Sequence, residues 1–291
     1  MQSATSMQRY FSPFQIFKYT VYILLSANLF VFFGEEYEAL GFMFKEGVTL
    51  SNFIEAFPAT IDTAAWLGLL LMFELETYSI PDHAYTKTMS RTIHALRVLC
   101  IALVVYASYG YIEQYAGLQG LALLTPELPY YVSNDMCSYV GGAFMDSLDS
   151  FEAITAENCA GLVTGSELFA LNDGTYTDSV ALAEAQWLAT IDVANALAWI
   201  VVVLVIEAQV RLQVKHQLST KLFFITRILN FSLYVILFSA AVFWWIDGEF
   251  VDFWDAALWL IAFFFIESNI SEWREEEEEQ QEAELAEPTL V

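Results

Sequence analysis

The sequence predicts an all-α integral membrane protein. Six transmembrane helices form three tandem helical hairpins, and an extracytoplasmic cap is inserted between the third and fourth helices. Three observations lead there. The 291 residues are 57% hydrophobic and only 16% charged, with a mean hydropathy of +0.48, well above that of soluble globular chains. The cations are sorted to one side of the apolar runs. One helical pattern, centred on a tryptophan, occurs three times in the same orientation.

Crossing a hydrocarbon core of ~30 Å takes roughly 20 mostly apolar residues. Six segments qualify: Phe17 to Phe33, Phe57 to Thr77, Leu96 to Tyr115, Trp187 to Ile206, Leu222 to Ile246 and Phe250 to Ile266. Lys and Arg in short loops are retained on the cytosolic side. With the N-terminus inside, Arg9, Lys18, Lys87, Arg91, Arg97, Arg211, Lys215, Lys221, Arg227 and Arg274 all fall at cytosolic ends, and only Lys45 lies outside. The stretch from Gly117 to Gln186 has no Lys or Arg but many acids, among them Glu127, Asp146, Asp178 and Glu184. Both termini are thus expected in the cytosol, in a plasma or bacterial inner membrane. The first span reads as an uncleaved anchor, because its apolar run ends in Gly34-Glu35-Glu36 with no small-x-small cleavage site.

In chain order, residues 1–16 are a cytosolic arm and 17–77 the first hairpin, with Pro58 suited to the first turn of its second helix. The external stretch Val48 to Phe57 is modestly amphipathic. A cytosolic loop, 78–95, leads to the second hairpin, 96–207, which carries the cap at 117–184. Arg97 opens the third span without the cation at every third position that a voltage-sensing helix needs. In the cap, Thr125-Pro126, Leu128-Pro129, Gly141-Gly142 and Asn172-Asp173-Gly174 mark turns. Cys137 and Cys159 are placed for a disulfide facing an oxidising compartment, the alternative being two free thiols, while Cys100 reads as inert packing. A loop, 208–221, precedes the third hairpin, 222–267, whose tight turn Asp247 to Phe250 makes its helices antiparallel neighbours. Residues 268–291 are an acidic cytosolic tail, read as a solvating segment, with calcium or basic-partner binding as the sharper alternative.

The repeated pattern sits on the second, fourth and sixth spans. Trp66, Trp199 and Trp259 are each preceded by four positions by Asp62, Asn195 or Asp255, and followed by eight positions by Glu74, Glu207 or Glu267. Asp192 and Asp252 stand seven before the Trp in the second and third copies. At about 100° per residue these positions share one helical face, which should point into the protein because charge is costly toward lipid. Asp62, Asp192 and Asp255 read either as helix caps or as a ring of acids around an external cation entrance. Glu74, Glu207 and Glu267, placed near helix C-termini where the dipole disfavours them, read either as ion pairs with Arg91, Arg97, Arg211 and Arg227 or as a cation or proton exit. The three Trp form a constriction or packing, their indoles donating to the polar group one turn away.

A net charge of -25 argues against nucleic acid as a partner. His83, His94 and His216 are too scattered for a metal constellation, and no nucleophile, phosphate-loop or haem-ligating motif is visible, so neither an enzyme nor a cofactor is expected. The leading expectation is a channel-like or transporter-like protein passing a cation or proton. The alternative is a non-transporting membrane scaffold or accessory subunit, whose cap and tail bind partners in a homo-oligomer or larger membrane complex.

Overall fold

The computed structural model describes residues 13–44, 47–75, 86–165, 167–214 and 220–265, with backbone alone at 207, 210, 211, 213, 214, 220 and 223. The elements in order are α1 Pro13–Met43, α2 Phe53–Ala56, α3 Pro58–Glu74, α4 Lys87–Gln119, β1 Ala122–Leu123, a 3-10 turn Met136–Tyr139, β2 Ala143–Met145, β3 Phe151–Ala153, α5 Cys159–Leu162, β4 Leu168–Asn172, β5 Thr175–Asp178, α6 Ser179–Val214, α7 Thr220–Asp247 and α8 over residues 250–265. Four stretches are long and apolar enough to cross a membrane: Pro13–Met43, Lys87–Gln119, Ser179–Ile206 and Phe224–Asp247. The other two expected spans are helical but shorter among the described residues, 17 in α3 and those of 250–265 in α8.

The all-α expectation is corrected by the cap, which is a five-stranded sheet in the order β1-β4-β5-β2-β3. All its pairings are antiparallel except β2 with β5. Its strands run from two to five residues, too short for an alternating pattern to stand out from a loop. The expected turn at Asn172-Asp173-Gly174 is the β4–β5 hairpin. Asn172 pairs with Thr175, and Gly174 takes φ 91°, which a side chain would disfavour. The sheet closes over a core that includes Leu124, Met136, Tyr139, Phe144, Ile154 and Tyr176. Cys137 and Cys159 are disulfide-bonded at this core, with Cα atoms 4.9 Å apart.

Two compact units make up the chain, Leu29–Ile236 and a second of Met1–Asn28 with Leu237–Val291. In the first, α4 is the helix the others share, packing along both α3 and α6. Small residues allow the approach. A methyl group added at Gly68 of α3 would lie 2.8 Å from the Cys100 thiol of α4, and α6 buries Ala185, Ala189 and Ala196, while its Ala181 belongs to the cap's core. Much apolar surface stays exposed, including Leu96, Leu99, Val105 and Ile112 of α4 and Phe224, Ile228 and Phe231 of α7. The cap is tied to the helices beneath it. The Phe42 carbonyl at the end of α1 accepts from Asn172 and Thr175, both at 3.0 Å, and the Leu118 carbonyl of α4 accepts from Gln186 of α6 at 3.0 Å.

In the second unit, the start of α1 lies beside α8. Phe265 meets Phe14 and Phe17 edge-on at 5.1 and 5.6 Å, and Asn28 meets Asp255, so the two helices run antiparallel. The α7–α8 connection is as tight as the sequence suggests, with Gly248 at φ 100° between Asp247 and Glu249. Lys18 is fully buried in this unit.

Candidate functional site

Two copies of the tryptophan pattern come together in the first unit. Trp66 and Trp199, 9% and 7% exposed, approach to 6.4 Å between ring centroids, and Trp199 meets Tyr234 of α7 edge-on at 6.4 Å. Trp66 and Trp199 hold the same position in their two copies of the pattern. Asp62 and Asn195 are half-buried, and the Asn195 side-chain carbonyl oxygen is buried without a hydrogen-bond partner. Further along the α6–α7 pair, Gln209 donates to the Thr226 hydroxyl, and the side-chain carbonyl of Asn230, one turn on from Thr226, is also buried without a partner.

Trp259 belongs to the other unit, where it is 6% exposed and packs on Phe263 at 6.4 Å. Asp255 accepts a hydrogen bond from Trp259, the one-turn pairing the spacing suggests, and a second from the Asn28 amide at 2.8 Å. Both donors are neutral. Asn28 was legible only as an isolated amide in an apolar run.

The capping reading of the three Asp residues is corrected. Asp62 is the fifth residue of α3, Asp192 the fourteenth of α6 and Asp255 the sixth of α8, all beyond the first turn in which a helix dipole acts. Other carboxylates hold the N-terminal ends of α3 and α6. Glu36, buried on α1, accepts from the backbone N–H of Ala59 at 2.7 Å, from that of Thr60 at 3.2 Å and from the Thr60 hydroxyl, so a neighbouring helix supplies the cap that Phe57 cannot.

For α6 the cap is Asp178, the last residue of β5. One of its oxygens accepts from the N–H groups of Val180 and Ala181 at 2.9 Å each. The other accepts from Thr164 and Gly165 N–H at 2.6 and 2.7 Å. Burial pushes the Asp178 carboxyl up, but the bonds from Ala181, Gly165, Thr164 and Val180 outweigh it and hold the group below the usual aspartate range. Nothing local in the sequence singles out Glu36, whose partners lie 23 and 24 positions on, whereas Asp178 stands directly before α6 and accepts from the N–H groups two and three residues ahead, a local N-cap pattern.

The Glu end differs too. Glu74 is the last residue of α3 and is buried at 7% exposure. Glu207 is not near a C-terminus, since α6 continues seven residues to Val214 and the dipole effect is confined to the last turn. Glu267 lies outside the described residues. At the cap side of α4, burial and the nearby Glu113 both push the Glu55 carboxyl up. Among the described residues, no group of three or more His, Cys, Asp and Glu is placed to hold a metal ion. His94 is exposed on α4, and His83 and His216 lie outside the described residues.

No protein-family model matches this chain, and no similar curated protein or solved structure is found.

Proposed function

We propose that the protein is a non-transporting membrane scaffold or accessory subunit. Its helices anchor an acidic, disulfide-closed β-cap on the outer face, with both termini in the cytosol. The observation that carries this reading is the buried Trp66–Trp199 contact. On this reading the repeated face is packing: the indoles fill the space between α3 and α6 that an ion path would need open. The six-span, three-hairpin topology is part of the proposal, with α3 and α8 as the shorter spans. The cap and tail carry the partner-binding surface.

A second reading, a cation or proton pathway, is favoured by one feature. Polar groups in the helices are left with neutral or no partners: Asp255 is held by Asn28 and Trp259, and Asn195 and Asn230 keep buried carbonyls unpartnered. Purified protein in liposomes separates the two. The scaffold reading expects proton and monovalent-cation flux no greater than in empty vesicles. Flux in the wild type that disappears when Glu74, Glu207 and Glu267 are all changed to Gln would replace it with the pathway reading.

A further inference from the structure

The α7–α8 turn carries an exposed aromatic cluster that packing does not account for. Trp245 lies 4.8 Å from Phe253 and 6.3 Å from Phe250, and Phe250 stacks on Trp254 at 6.3 Å with 14° between the rings. Trp245 is 58% exposed, Phe250 57% and Trp254 37%. Large apolar side chains so grouped mark a surface that something covers.

Three features say what covers it. The cluster stands at the end of the apolar stretch Phe224–Asp247, where a membrane helix leaves the hydrocarbon. The turn is Asp247-Gly248-Glu249, with Asp252 following, and such charges are too costly to sit deeper. Two of the four rings are indoles, whose apolar body and N–H donor suit the boundary between chains and headgroups. The positive φ of Gly248 reverses the chain so abruptly that α7 and α8 present their aromatics at one level.

We propose that Trp245, Phe250, Phe253 and Trp254 form a lipid-interface anchor, seated in the glycerol-ester layer of the bilayer. It takes zwitterionic rather than anionic phospholipid, because residues 228–273 include acids but no Lys, Arg or His. The anchor holds the outer end of this hairpin at a fixed height. The inference rests on the membrane-spanning reading above.

The test uses the full chain in phosphatidylcholine vesicles, comparing wild type with the double variant Trp245→Phe/Trp254→Phe. The difference between their emissions isolates the two indoles. Lipid brominated near the headgroup should quench that difference about twofold more than lipid brominated near the chain ends, and replacing phosphatidylcholine by phosphatidylglycerol should lessen the quenching. Stronger quenching from the chain ends would overturn the proposal by placing the cluster in hydrocarbon. Quenching by aqueous acrylamide alone would overturn it by placing the cluster in water, and protection from all three would mean that a second protein surface covers it. Should the double variant not fold, Trp245→Phe and Trp254→Phe singly give the same subtraction. Extraction of the wild-type chain from the vesicles by alkaline carbonate would instead defeat the membrane-spanning reading itself.

Discussion

Replacing Asp178 by Ala removes the group that joins the sheet to α6. Four backbone donors lose their acceptor: Val180 and Ala181 in the first turn of α6, and Thr164 and Gly165 in the loop before β4. Loss of a helix N-cap costs about 1 kcal/mol. A bond to a charged acceptor contributes about 1.5 kcal/mol or more, but Thr164 is exposed and water can replace part of what it loses, so the loop pair adds only about 1.5 kcal/mol together. The cap's junction should therefore be weaker by roughly 2.5 kcal/mol, which is about 50- to 100-fold in a local opening constant.

Hydrogen exchange read by mass spectrometry on the intact chain in lipid nanodiscs measures this directly. Peptides covering residues 160–168 and 179–184 should exchange faster by about that factor, while the middle of α4 should not change. Unaltered protection at both places would refute the argument that Asp178 holds the junction. The pH dependence has a definite sign. Because the folded carboxyl is held below the value of 3.8 for a free aspartate, its contribution is present above that value and is lost as pH falls through the lower folded one. Asp178→Asn should abolish that acid-induced loosening.

Other outcomes follow from packing and covalent structure. Changing Cys137 and Cys159 to Ser opens a link between positions 22 apart in sequence and should cost the cap about 3 kcal/mol on a chain-entropy estimate. Limited proteolysis should then cut within residues 127–165 of the variant but not the wild type, and equal resistance would show that the disulfide adds little. Gly68→Ala brings a methyl group to 2.8 Å from the Cys100 sulfur and should cost about 1–3 kcal/mol by overpacking. Cys100→Ala in the same chain should restore about 1 kcal/mol or more in a double-mutant cycle of thermal melts. Strict additivity would mean that α3 and α4 do not meet there.

The long helices were legible because an apolar run of some 20 residues has few alternatives, but their ends were not. Expected at Phe17 to Phe33, α1 runs from Pro13 to Met43, and α6, expected from Trp187, starts at Ser179. Its first turns hold Ala and Val with Glu184 and Gln186, a mixture that hydropathy reads as loop although tertiary contacts make it helix. The cap's turns and disulfide were readable, because Asp-Gly and paired cysteines carry local chemistry. Its sheet was not, because β1 with two residues and β2 with three have no period to read.

The tryptophan pattern shows the same division. All three indoles are buried and Trp259 bonds Asp255, the pairing the spacing suggests, but the Asn195 carbonyl one turn from Trp199 has no hydrogen-bond partner, so the expected donation does not hold in the second copy. Spacing could not say that Glu36, on another helix, would cap α3, whereas Asp178, directly before α6, carries a local N-cap pattern that the Trp spacing does not include. Nor could it say that Asn28 would lie beside Asp255, since those partners are 227 positions apart.

The membrane-spanning account, with its cap outside and both termini inside, is tested most directly by thiol accessibility in intact cells. In a Cys100→Ala background, Glu127→Cys marks an exposed position of the cap, and Thr5→Cys and Thr289→Cys mark the two ends of the chain. A membrane-impermeant maleimide should label the cap position without permeabilisation, and both ends only after it. Labelling of either terminus in intact cells, or of the cap only after permeabilisation, would contradict the account.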